Sequence, residues 1–365
     1  EFLQMDKGRR RRSSFRGALD WSYDLLKPGE QAALLDLAVF RGGFTLTGAQ
    51  ELLGSSEAVA YLEGLVSASW VEREGGPEAV RFRLLESIRS YALELIPPRR
   101  HQAMRERHAG LMLKLAERCR EADFTSEEES VHRALEPETA NLDAAIAWFL
   151  ENDPMKAVEL IGCSNWFYVL RGQSPAQEAL LKKAFERSPK EGGPTFGFAH
   201  HAMASFLIFQ GKFGEAEPWL KKSLSLAQGF DIKLTQGIAC QQLAYIYAET
   251  GRSEEAASRI EEAVGFVRDH PNRNWLGSMF TIRVLLLNRL GEWRKAKEKG
   301  LEALVTCREG GYGWGIASLL NEVAHACRRL GDFEESRRYE DESIEIKRRL
   351  RAPRTLAISL IGISQ

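Results

Sequence analysis

The 365-residue chain has almost no surplus of charge of either sign: 50 Lys and Arg against 51 Asp and Glu leave a formal net charge of −1. That excludes non-specific nucleic-acid binding driven by a protein-wide positive field, though not a local basic patch. Cysteine is scarce and unpaired. Cys119, Cys163, Cys240, Cys307 and Cys327 are odd in number, lie 20 or more residues apart and form no CxxC. This argues against a disulfide framework or a cysteine zinc site, and for a reducing, cytoplasmic setting. No stretch reads as a membrane span, since the longest run without Asp, Glu, Lys or Arg, 192–211, carries a Pro, a His pair and several Gly. The N-terminus has charge without an apolar h-region, so it is not read as a signal peptide.

Catalytic signatures are missing as well: there is no GxxxxGK[ST], no HExxH and no GxSxG. The glycine cluster Gly310 to Gly315 fails the GxGxxG register and falls where a connector between repeats is expected. His200 and His201 are consecutive, about 100° apart on a helix, and cannot chelate one ion together. No metal site and no catalytic residue is expected, and the chain is read as non-enzymatic.

What is present is a globular composition, 44% hydrophobic and 28% charged, with a length suited to two or three domains. The C-terminal half repeats. GKFGEA at Gly211, GRSEEA at Gly251, GEWRKA at Gly291 and GDFEES at Gly331 place their glycines 40 residues apart. Each reads as a helix, a tight turn in which Gly takes the left-handed conformation, and a second helix whose small residue five positions on permits close approach. One such hairpin cannot bury its own apolar stripe, so neighbours must stack into a solenoid. A degenerate fifth turn is expected at Arg171-Gly172. The segment 354–365 reads as the first helix of an unfinished repeat. With the Glu1-Phe2 start, which is not a Met, this leads us to expect a fragment of a longer protein.

These turns resemble the tetratricopeptide repeat, with the period stretched from the usual 34 to 40 as in the sensor arms of LuxR-type regulators. The resemblance implies a groove lined by the first helix of each repeat. On the 40-residue grid its positions are His201 and Ser205; Gln241, Gln242 and Tyr245; Thr281, Asn288 and Arg289; Asn321, Glu322, His325 and Arg328. Such a polar inner wall suits a protein, a peptide or a small-molecule ligand.

The N-terminal part has another texture. A helix over 28–40, short helices over 47–53 and 56–69, β-like runs at 70–73 and 80–83, and a helix over 84–96 form a winged-helix pattern. ALDWSYDLL at Ala18, LAVFRGGFTL at Leu37, FRLLESIRSYA at Phe82 and NLDAAIAW at Asn141 resemble the winged-helix region of bacterial STAND-class signalling ATPases. The family's nucleotide-sensing His is absent, its motif falling on Leu84, Leu85 and Glu86. The helix over 55–69 carries Glu57 and Glu63 and no Lys or Arg, so direct DNA reading is not expected. The one dense basic cluster, Lys7 to Arg12, reads as a solvated tail or linker.

The expected architecture is therefore mostly α: a basic tail at 1–16, a winged-helix domain at 17–97, a helical linker at 98–155 and a right-handed tetratricopeptide-like α-solenoid at 156–365. The resemblance implies the non-catalytic sensor region of a STAND-class ATPase, as in a transcriptional regulator. ATP or ADP would bind only a nucleotide-binding domain upstream of this chain. Two alternatives remain open: the regulatory arm of an enzyme with a nucleotide cyclase or protein kinase output, and a plain docking scaffold.

Overall fold

The computed structural model describes residues 15–75, 80–188, 192–350 and 356. The basic run at 7–12 and nearly all of the unfinished repeat at 354–365 lie outside them. The chain is mostly α and divides into two compact units, residues 1–114 with 136–148, and residues 115–135 with 149–365.

In the first unit, α1 (15–24) precedes α2 (Pro28–Leu37), whose Pro28 supplies a preset φ and whose Glu30 Oε2 accepts the Lys27 N–H at 3.0 Å. Then follow β1 (Phe44–Thr45), α3 (Leu46–Leu53), α4 (Ala58–Ser67), β2 (Glu72–Glu74), β3 (Arg81–Arg83) and α5 (Glu86–Leu95). The strands form one antiparallel sheet in the order β1-β3-β2, with Phe82 opposite both Phe44 and Arg73. Leu34, Leu37, Phe44, Leu52 and Leu65 fill the core beneath it. Gly43 has φ +96, and a Cβ there would stand 2.8 Å from the Phe82 carbonyl oxygen, so glycine is required where the chain enters β1.

Two long helices, α6 (Pro98–Ala122) and α8 (Thr139–Asn152), contribute to both units. On α8, Asn141 is fully buried and ties the first unit together. Its Oδ1 accepts the Arg41 N–H at 2.6 Å, and its Nδ2 donates to the Gly43 carbonyl at 2.9 Å and to Glu138 Oε2 at 2.6 Å.

The second unit contains α7 (Glu128–Leu135), α9 (Pro154–Cys163), α10 (Asn165–Leu170) and α11 (Ser174–Arg187), then four helical hairpins. These are α12 (Pro194–Ile208) with α13 (Phe213–Gly229), α14 (Lys233–Glu249) with α15 (Ser253–Val267), α16 (Asn274–Arg289) with α17 (Trp293–Gly310), and α18 (Gly313–Leu330) with α19 (Phe333–Arg349). Gly211, Gly251, Gly291 and Gly331 all have φ between +76 and +89. In each hairpin the next N–H reaches the carbonyl five residues back, as Arg252 to Tyr247 at 2.8 Å and Asp332 to Cys327 at 2.9 Å. This Schellman closure satisfies carbonyls that a helix end leaves open. Gly172 repeats it, with φ +73 and Gln173 N–H on the Tyr168 carbonyl at 3.0 Å, so the degenerate fifth turn is real.

The small residues after each turn, Ala216, Ala256, Ala296 and Ser336, are buried. The Ser336 hydroxyl donates to the Ala324 carbonyl across the hairpin at 2.9 Å.

Candidate functional site: an inner cavity of the solenoid

A cavity of about 900 Å³ opens within the second unit. Its walls come mainly from the first helices of the repeats, α12, α14, α16 and α18, with α10, the end of α6 and its turn to α7, and Lys347 of α19. Of the twelve groove residues expected from the sequence, eight line it: His201, Ser205, Gln241, Gln242, Tyr245, Thr281, Asn321 and Glu322. Asn288, Arg289, His325 and Arg328 are not in its lining. Asn288 is buried, and its Nδ2 donates to the Glu322 carbonyl at 2.9 Å and to Glu322 Oε2 at 3.0 Å. Arg289 pairs with Glu249 at 2.6 Å, Arg328 pairs with Glu340, and His325 is half-buried near Arg328, Arg289 and Arg329.

The glutamines of α14 bridge successive repeats, and Asn321 is tied within the last hairpin. Gln242 Nε2 donates to Ser205 Oγ at 2.8 Å, while its Oε1 accepts from His201 Nδ1 at 3.0 Å. Gln241 Nε2 donates to Ser278 Oγ at 2.6 Å and to the Ser278 carbonyl at 3.1 Å. Asn321 Oδ1 accepts from Ser343 Oγ at 2.8 Å. These bonds hold the amides in fixed orientations on the wall, the preorganisation that a specific polar site needs.

Burial controls the charge states. It lowers His201 to about 4, against the opposing hydrogen bond from Gln242, so the imidazole is neutral at pH 7. It raises Glu322, opposed by the Asn288 amide and by Arg289. It lowers Lys347, also on the wall, to about 8, with Glu322 acting the other way. Tyr245 is pushed up to about 12 by burial and then by Glu249 and Glu322.

Sequence reasoning missed the aromatic end of the cavity. Phe124, at the tip of the α6–α7 turn, has φ +63. Its ring stacks on Trp275 with centroids 4.0 Å apart and approaches Tyr312 at 4.8 Å and Trp166 at 5.7 Å. Its carbonyl accepts from Asn272 Nδ2 at 3.0 Å and Asn274 Nδ2 at 2.9 Å. The turn thereby closes against α16 and α18. Behind it lies a buried polar knot: His132 Nε2 is 2.8 Å from Asp123 Oδ1, and Glu128 Oε2 accepts from Phe124 N–H at 3.0 Å and Trp166 Nε1 at 3.1 Å. Burial, and then Asp123, raise the Glu128 carboxyl to about 7, while burial lowers His132 to about 4.

Of the adjacent histidines, His201 faces the cavity. His200 turns away, donating to the Phe196 carbonyl at 2.6 Å and packing against Phe185 and Trp219. All five cysteines are buried free thiols. Gly311, with φ +68, caps α17, so the glycine cluster is the connector expected between repeats.

Two segments, residues 238–266 and 316–351, each match a family model described as tetratricopeptide repeat. The chain therefore carries tetratricopeptide repeats, and the hairpins of the second unit form an α-solenoid of that kind. Among solved structures it is similar to a Signal Transduction ATPase with Numerous Domains (STAND) protein with a tetratricopeptide repeat sensor from Pyrococcus horikoshii. That match has a TM-score of 0.57 at 16% identity, covering 94% of this chain and 54% of the other. Among curated proteins, 147 residues are 33% identical to a Mycobacterium tuberculosis protein named as an HTH-type transcriptional regulator, covering 39% of this chain and 17% of that one. An uncharacterized M. tuberculosis protein is 39% identical over 82 residues, 21% of each chain. The chain thus spans about a fifth or less of these curated relatives. No helix among the described residues is long and apolar enough to cross a membrane.

Proposed function

We propose that this chain is the non-catalytic regulatory and sensor region of a STAND-class signalling ATPase that acts as a transcriptional regulator in the cytoplasm. In this reading residues 156–365 are the sensor solenoid, and its cavity takes a peptide, a segment of a partner protein or a small molecule. Residues 17–97 are a winged-helix domain that couples ligand occupancy, through a helical linker at 98–155, to a nucleotide-binding domain upstream that holds ATP or ADP. The observation that carries the reading is the cavity itself. It is large enough for a ligand, lined by oriented amides and aromatic rings, and built from the inner helices of several repeats. A ligand touching several repeats at once favours one relative arrangement of them, which is the differential affinity a switch requires.

The test joins the chain to its upstream nucleotide-binding domain and measures self-association with and without a ligand that raises the melting temperature of the chain alone. The reading predicts ligand-dependent, nucleotide-gated assembly, and no ATP turnover by the isolated chain. A ligand that binds the chain but leaves assembly unchanged sinks the switch. ATP turnover by the chain, lost on mutating a residue within it, sinks the non-catalytic assignment.

A further inference from the structure

Behind the aromatic end of the cavity, three different donor types converge. Cys119 and Asp123 lie four residues apart where α6 ends, so they share a face, and His132 on α7 points back at them. Their Sγ, carboxylate and imidazole donor atoms all lie within 4.8 Å of one another, and all three residues are buried. We propose that Cys119, Asp123 and His132 form a site for a single zinc ion, with the fourth position open to the cavity.

A buried imidazole–carboxylate pair is stable without an ion, so the His132–Asp123 contact alone argues nothing. Two further features call for a cation. The pair is joined at the same point by a thiol. And Glu128, only 2% exposed and beside the same turn, has an Oε1 with no hydrogen-bond partner. Leaving a buried carboxylate oxygen unpaired is costly, and a metal-bound water in the fourth position would donate to it. Asp123 also lines the cavity, which supplies the route in.

The donor set selects the ion. Magnesium and calcium take oxygen ligands, whereas a mixed sulfur, nitrogen and oxygen set suits zinc. Tetrahedral bonds of about 2.0–2.3 Å put neighbouring donors roughly 3.3–3.8 Å apart. The 2.8 Å hydrogen bond between His132 and Asp123 must open by about half an ångström, and the thiol must close in. On binding, the Cys119 thiol loses its proton to solvent, and so does the His132 Nε2–Asp123 Oδ1 pair, whose shared proton must leave before both atoms can bind the ion. His132 binds through the Nε2 lone pair with its proton on Nδ1. The thiolate and the Asp123 carboxylate then balance the two positive charges, so the ion with its three ligands is neutral.

The experiment uses the whole chain, stripped with chelator and titrated with Co²⁺ as a spectroscopic stand-in. The proposal expects one ion per chain, a near-ultraviolet thiolate-to-cobalt band, and loss of that band when Zn²⁺ is added. Cys119→Ser should abolish the band, and His132→Gln should weaken Zn²⁺ binding at least about tenfold. Cys327→Ser should leave the band intact; Cys327 groups only with Asp332 and Glu335, neither of them buried. Circular dichroism melts verify that each variant is folded. Absence of a stoichiometric band in the unmodified chain overturns the proposal whatever the variants do, and so does a band that survives Cys119→Ser.

Discussion

At the scale of the residue, His201 shows how burial sets chemistry on the cavity wall. Burial holds its pKa near 4 against an unperturbed 6.5, with only the Gln242 hydrogen bond opposing. Between pH 6.5 and 4 the unfolded imidazole binds a proton that the folded one does not, so stability falls as the pH falls. The slope from this group is at most about 1.4 kcal/mol per pH unit. Glu128 works in the opposite sense. Its raised folded pKa, about 7, favours the fold below the unfolded value and is lost as pH rises through 7. Removing His201 therefore isolates one sign. His201→Gln should lose less stability than the unmodified chain between pH 7 and pH 4.5, read as the shift in urea midpoint. Equal losses in both would mean that the imidazole is not held neutral.

At the scale of the element, the 40-residue period appears at a second set of positions. Gly197, Gly237 and Gly277 share the register of the turn glycines but sit inside α12, α14 and α16, where each helix meets its partner. A Cβ on Gly237 would lie 2.8 Å from Val267 Cγ1, and one on Gly277 would lie 2.6 Å from Cys307 Sγ. At Gly211, Gly251 and Gly331 nothing lies within 4 Å, so there the demand is for positive φ and not for space. Gly277→Ala should therefore destabilise by overpacking, by about 1–3 kcal/mol. In a Cys307→Ala background, where the sulfur is gone, most of that extra cost should vanish. A double-mutant cycle with no coupling between the two sites would refute the contact.

The turns were legible in the sequence because glycine at a left-handed position is a local requirement, repeated at a fixed spacing. Strand limits were less so. The run 70–73 looked β-like, but Trp70 and Val71 both donate their N–H to the Leu65 carbonyl, and the ladder starts at Glu72. Likewise α2 stops at Leu37, and Val39 and Phe40 close tight turns onto Asp36 and Leu37 instead of extending the helix to 40. In the cavity the grid located the amides of α14 and α18, because helical periodicity sets which face looks inward. It could not locate Phe124, whose carbonyl is held by side chains 148 and 150 residues away, since no local pattern encodes such contacts.

At the scale of the whole molecule, one unit is small and helical with a three-stranded sheet, the other is built of repeats around a cavity, and the recognition we propose belongs to the second. Gln241, Gln242 and Asn321 are the polar residues through which that claim is most exposed, because all three line the cavity and none belongs to the apolar core. Losing a buried polar contact costs about 1–3 kcal/mol, roughly tenfold or more in affinity. The deciding measurement is calorimetric titration of a ligand found by thermal-shift screening, against the unmodified chain and a Gln241→Ala, Gln242→Ala, Asn321→Ala variant. The account predicts at least tenfold weaker binding by the variant, with its fold intact by circular dichroism. Unchanged affinity in the variant, with binding lost instead on truncating residues 1–100, would contradict it.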